Sequence, residues 1–154
     1  MPVSQSDAIW DWIAANTTEC EPILRPTYLP SSLSQVSPHY IDRQRGCVLF
    51  GIEYSDDTGN ATLLLDGGPF PNPPLPQPDT VSEEVEVRGN VASYELYHAA
   101  EPLGLTFVTW HEPGRWGNPD DSWHRDYVEY LISAEGFTRE ELLKVANGLQ
   151  PVAQ

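Results

Sequence analysis

Tyr127-Val-Glu-Tyr-Leu-Ile-Ser-Ala-Glu-Gly-Phe-Thr-Arg-Glu-Glu-Leu-Leu-Lys-Val-Ala-Asn-Gly-Leu149 is the stretch that decides the fold. Its first part, through Ile132, is rich in aromatic and β-branched residues and reads as a strand, with Gly136 as the turn. Thr138 and Glu141 stand at capping-box spacing, where each side chain satisfies a free amide of a helix start. Leu142, Leu143, Val145, Ala146 and Leu149 then form one apolar stripe. Gly148 suits the end of that helix and Pro151 blocks continuation. The grammar predicts a strand, a turn and a helix over 138–148 lying on a sheet.

Upstream, residues 81–132 read as further antiparallel strands. Val81, Val85 and Val87 alternate with polar residues, Arg88-Gly-Asn-Val91 reads as a tight turn, and Tyr94 and Leu96 alternate again. From Leu103 to Trp110 one face carries Leu103, Leu105, Phe107 and Thr109 and the other Val108 and Trp110, as in a central strand covered on both sides. Pro113 to Ser122 reads as a loop. Residues 67–80 are dominated by Pro and Gly and read as a long surface loop of polyproline character.

Residues 22–66 hold strands and the first hairpin. Pro22, Pro26 and Pro30 limit Ile23–Leu29 to extended chain or an edge strand. Leu33 to Ile41 alternates weakly around Pro38. Cys47 to Tyr54 is the most apolar strand, Ser55-Asp-Asp-Thr-Gly-Asn60 is turn chemistry, and Ala61 to Leu65 is the partner strand. Asp56 and Asp57 resemble half a calcium loop, but the bidentate Glu is missing at the required spacing. At the start, Ser6 and Asp7 cap a short helix over 5–15, with Ile9, Trp12 and Ile13 on one face. That face is expected to dock Trp12, with Trp10 beside it, on the sheet. The expected class is therefore α+β: one domain over 1–154, an antiparallel sheet of about six to eight strands with an N-terminal and a C-terminal helix packed on it.

Composition narrows the partners. The 154 residues carry 8 Lys+Arg against 23 Asp+Glu, a net charge of −15. Such a surface repels phosphate backbones and anionic headgroups, which argues against nucleic acid and against simple membrane-surface binding. No apolar run approaches the roughly 18 residues a membrane span needs. Met1 to Asn16 lacks the basic start and apolar core of a signal peptide, so either the protein is cytoplasmic or an export signal has been removed. Cys20 and Cys47 fit a disulfide in an oxidising compartment and two buried thiols in a reducing one.

Candidate chemistry gathers in His111-Glu-Pro-Gly-Arg115-Trp116 and the following Asp121-Ser-Trp123-His124. His111, Glu112, Asp121 and His124 are ligand types for a divalent metal, the basis of a metal-dependent hydrolase reading. The second His of H-E-x-x-H is absent, and a solvated loop explains the same residues. Trp116 and Trp123 in a loop, with Arg115, His111 and His124 beside them, instead suggest a surface that binds a protein, peptide or small apolar ligand. There is no nucleophile elbow and no phosphate-cradling glycine loop, so no catalytic residue and no cofactor is expected. His39 and His98 are isolated and read as structural.

Several of these residues carry a resemblance. Val87-x-Gly89-x-x-Ala92, Trp110, Tyr130 and Thr138-x-x-Glu141-Leu142-x-x-x-Ala146-x-x-Leu149, with Tyr28-Leu29-Pro30 upstream, resemble an extracytoplasmic domain of unknown function. That domain is carried by bacterial anti-sigma-factor-like proteins and sporulation-type lipoproteins, and is similar to the curved-sheet fold of outer-membrane lipoprotein carriers. The resemblance implies export, a sensing or ligand-binding role, Gly89 as turn glycine and Trp110 as core aromatic. It supplies no catalytic residues. The chain departs from it in lacking an anchor and a zinc-binding anti-sigma segment, and in its longer 113–122 stretch. The leading expectation is a non-enzymatic extracytoplasmic binding or sensing domain. The alternatives are the metal-dependent hydrolase and a cytoplasmic acidic adaptor or immunity-type protein.

Overall fold

The computed structural model describes residues 5–44, 46–68, 80–97 and 105–152. In chain order the elements are α1 (Gln5–Asn16), β1 (Cys20–Glu21), β2 (Leu24–Arg25), β3 (Gln35–Gln44), β4 (Cys47–Ser55), β5 (Thr62–Gly68), β6 (Val81–Val87), β7 (Asn90–Leu96), β8 (Thr106–Trp116), β9 (Arg125–Glu135), α2 (Arg139–Asn147) and β10 (Gln150–Pro151). An eight-stranded sheet runs β3-β4-β5-β9-β8-β7-β6, with β1 pairing the far end of β8. Its ladders are antiparallel. Two meanders, β3–β5 and β6–β9, are thus joined edge to edge where β5 meets β9. β10 and β2 form a separate antiparallel pair. The chain is an α+β fold with a helix from each end on the sheet.

Both helices cover the same face. Phe50 and Ile52 of β4, Leu63 and Leu65 of β5, Val108 and Trp110 of β8, and Tyr130 and Ile132 of β9 point to it and are buried. Trp110 stacks on Tyr130 at 5.6 Å between ring centroids. Leu142, Val145, Ala146 and Leu149 of the C-terminal segment close over this core. The Thr138–Glu141 capping box is formed in both directions. Asp56 Oδ1 accepts from the amides of Thr58 (3.1 Å) and Asn60 (3.0 Å), which makes 55–60 a side-chain-stabilised hairpin turn.

Several expectations need correction. In α1 the buried residues are Trp10 and Ile13, while Trp12 is 46% exposed. Trp10 lies edge-on to Phe50 at 5.2 Å and donates Nε1–H to the Tyr54 hydroxyl at 2.9 Å. Having a partner for its indole N–H turns the helix to bury Trp10, where Trp12 was expected. The weak strand around Pro38 is a full ten-residue β3, because a bulge between Pro38 and Tyr40 absorbs the proline. Gly67 and Gly68, expected in the Pro-rich loop, pair with Tyr130 and Glu129 as the end of β5. A Cβ on Gly67 would lie 2.5 Å from the Phe50 ring, so glycine lets that ring sit against the strand. The stretch 113–122 is not all loop, since β8 runs on to Trp116. The positive φ angles of the 88–91 turn fall on Arg88 (52°) and Gly89 (80°), leaving Asn90 to open β7. Residues 69–79 of the expected Pro-rich loop, Leu103 of the expected central strand and His98 lie outside the described residues.

Cys20 and Cys47 form a disulfide with Cα atoms 5.5 Å apart across a sequence separation of 27. It ties the segment after α1 to the start of β4. By loop-closure entropy such a link stabilises by about 3–4 kcal/mol. Cys20→Ala/Cys47→Ala is therefore expected to lower denaturant-measured stability by about that amount. An unchanged denaturation midpoint would show that the bridge holds nothing in place.

Candidate functional site

The other face of the sheet carries neither helix. Period-two alternation sends Glu84 and Glu86 of β6, Val91 and Ser93 of β7, Thr109 and His111 of β8, and Glu129 of β9 onto it. The register lines them up. One row runs Glu84–Ser93–Thr109–Leu131–Asp66–Gly51–Tyr40, each residue opposite the next on a neighbouring strand. The next row holds Glu86 opposite Val91, and His111 opposite Glu129.

A groove of about 610 Å³ lies over β6–β9 on this face, lined by Ser82, Glu84, Val91, Ser93, Thr109, His111 and Glu129 among others. The small side chains of Ser93 and Thr109 form its floor, and carboxylates stand at both sides. His111 stacks flat on Tyr127, 4.1 Å between centroids and 2° between planes, with Nε2 3.4 Å from Glu129 Oε1. That imidazole is the one side chain in the groove lining able to carry positive charge. Further along the same face Tyr97, Phe107 and Leu131 form a small second apolar cluster.

Beyond Leu131 the row ends in a polar pair, a buried Asp66 beneath a largely exposed Tyr40. Tyr40 lies over Gly51, whose added Cβ would meet the Tyr40 ring at 2.5 Å, and donates its hydroxyl to Asp66 Oδ1 at 2.6 Å. Burial pushes the Asp66 carboxyl above the usual range, against the pull of the Tyr40 hydrogen bond and the nearby His39. Burial and the adjacent carboxylate also raise the Tyr40 hydroxyl.

The residues singled out from sequence divide into two places. Of that set, His111 alone lines the groove. Trp116, expected in an exposed loop, is 1% exposed in the last position of β8, opposite Cys20 of β1. Trp123 packs against the same core and lies over Gly117, which a Cβ would bring to 2.9 Å from its ring. Arg115 pairs with Glu21 in the β1–β8 ladder and points Nη2 at the Thr18 carbonyl, 3.5 Å away. These residues close one end of the sheet around the disulfide. They are a packed cap, because β1 takes up the end of β8 that sequence alone left unpartnered.

The four metal-ligand candidates do not converge. His111 and Glu112 point to opposite faces of β8, as adjacent strand residues must. Glu112 is buried against Arg88, Asn90 and Trp110. His124 pairs with the Gly117 carbonyl and with Asp126 Oδ1, each at 3.0 Å. Among the described residues no three His, Cys, Asp or Glu side chains gather as a metal site.

The chain matches no family model, no curated protein and no solved structure. The site's meaning therefore rests on its own geometry. Among the described residues no helix is long and apolar enough to cross a membrane.

His124 offers a local check of the cap. The Gly117 carbonyl, then Asp126, favour its protonated form and raise its pKa above the ordinary imidazole value. Its contribution to stability is then full below the unfolded value of about 6.5 and is lost as pH rises through the higher folded value. A proton-NMR titration should place its midpoint above that of a free imidazole, and Asp126→Asn should lower it. A midpoint at or below the ordinary value would contradict the two hydrogen bonds.

Ser82, Glu84 and Ser93 went unremarked in the sequence, and Thr109 was read there only as one position on a strand face. Alternation in 81–87 and 91–97 carries the signal that they share a face. That they meet across strands depends on register, which no local pattern states.

Proposed function

We propose that this chain is a non-enzymatic binding domain that takes a cationic partner in the groove over β6–β9. The observation that carries the reading is the groove's chemistry. Its floor is small and polar, its sides bear Glu84 and Glu129, and the helices leave it uncovered. An open, shallow groove with a few placed polar groups suits an extended partner lying along it. In a chain of net charge −15, carboxylates at the sides of the groove favour and steer a positively charged ligand. The Cys20–Cys47 bridge supports work in an oxidising, extracytoplasmic compartment, in line with the resemblance to exported sensing domains.

The test is an NMR titration with a short oligolysine peptide. Shifts are expected to concentrate on Glu84, Ser93, Thr109, His111 and Glu129. Thr109→Arg, which plants a cation on the groove floor, should weaken binding about tenfold while leaving the melting temperature nearly unchanged. Shifts spread evenly over the acidic surface, with Thr109→Arg binding like the parent, would reduce the reading to general charge attraction.

A further inference from the structure

We propose that β6 is a docking edge, to which a partner adds an extended strand with Lys or Arg at alternate positions and apolar residues between them. The inference rests on the groove reading and deepens it. It says what kind of segment enters and by which contacts.

The two edges of the sheet differ. At β3, Pro38 has no N–H to offer and the adjacent bulge breaks the ladder. Both features resist pairing with another chain. β6 has neither. Its seven residues pair with β7 in unbroken register, from Val81 opposite Leu96 to Val87 opposite Asn90. Among the described residues β7 is its one ladder neighbour. In an antiparallel strand about half of the backbone N–H and C=O groups face each side, so β6 presents a row of them outward. Strand addition uses such a row for affinity and the alternating side chains for specificity.

Those side chains state the specificity. Glu84 and Glu86 are exposed on the groove face, and no described cationic side chain pairs with either. On the helix side Glu83 is already held by two N–H groups of Arg139, at 2.9 and 2.7 Å, and Val85 is half-buried beside it. An added strand would therefore meet free carboxylates on one face and a neutralised, partly apolar surface on the other. A Lys or Arg directly across from a Glu is favourable, whereas a like charge there is destabilising. A second copy of β6 would lay carboxylates against carboxylates and is disfavoured for that reason. Basic residues at alternate positions would extend the row Glu84–Ser93–Thr109 outward, with their ammonium or guanidinium groups over the groove.

The experiment uses a blocked synthetic peptide alternating Lys with Val, measured by calorimetry and amide hydrogen exchange on the whole chain. Binding should slow exchange at Ser82–Val87. Glu84→Lys/Glu86→Lys should weaken it at least about tenfold. N-methylation of alternate peptide residues should abolish binding in one of the two possible sets and spare it in the other, since only one edge of the added strand pairs. If both N-methylated peptides bind like the parent and Thr109→Arg still weakens binding, strand addition fails and the groove reading stands. If the peptide does not bind at all, or binds equally to the charge-reversed protein, both fail.

Discussion

Trp116→Ala is expected to lower stability by about 3–5 kcal/mol, the cost of emptying a large buried aromatic site. The side chain is 1% exposed. It sits opposite Cys20 in the β1–β8 ladder, and its ring comes within 3.9 Å of where a Cβ on Gly68 would stand. The next residue, Gly117, donates its N–H to the Glu19 carbonyl at 3.1 Å. Loss of the ring would therefore loosen the attachment of the segment 17–21 as well as leave a void. Were Trp116 an exposed recognition residue, the same substitution would leave the denaturation midpoint where it is and remove ligand affinity. Chemical denaturation separates the two outcomes. Trp116→Phe should lose less than the alanine variant, since most of the apolar volume remains.

Trp116 also shows where sequence reasoning stops. Pro113, Gly114 and Gly117 surround it, and Pro and Gly locally signal a loop. What keeps this stretch extended is distant: Cys20 and Glu21 pair with it across nearly a hundred residues. The C-terminal helix was legible because all its determinants, Thr138, Glu141, the apolar stripe and Gly148, lie within a dozen residues. The hairpin at Asp56 was legible for the same reason. The side of α1 that docks was not, because Trp10 and Trp12 are equally apolar and the choice depends on the Tyr54 hydroxyl in a different element. The groove is the extreme case. Each of its strands alternates visibly, yet Glu84, Ser93 and Thr109 become one row only when β6, β7 and β8 lie side by side in a particular register.

Arg88→Ala is expected to cost about 3–5 kcal/mol, because it strips the counter-charge from a buried carboxylate. Glu112 is 7% exposed. Its Oε1 accepts from Arg88 Nε at 3.2 Å, and its Oε2 accepts from Asn90 Nδ2 at 3.2 Å and Trp110 Nε1 at 3.0 Å. The same guanidinium donates to the Leu149 carbonyl, and the Arg88 amide donates to Asn147 Oδ1 at 2.9 Å. One side chain thus joins the β6–β7 turn, β8 and the end of α2. Its backbone pays a strain for this place: φ is 52°, a left-handed conformation that costs a non-glycine residue about 1–2 kcal/mol. Arg88→Gly separates the two effects, since it relieves the backbone but still abandons the carboxylate. It should recover only part of the loss seen with alanine. Adding Glu112→Gln to Arg88→Ala should recover much of the remainder, because a neutral amide can be buried at lower cost than an unpaired charge. A double-mutant cycle reads this directly. If Arg88→Ala costs under about 1 kcal/mol, or if Glu112→Gln adds its full loss on top, the pair is no more than a surface ion pair and does not anchor α2 beneath the proposed docking edge.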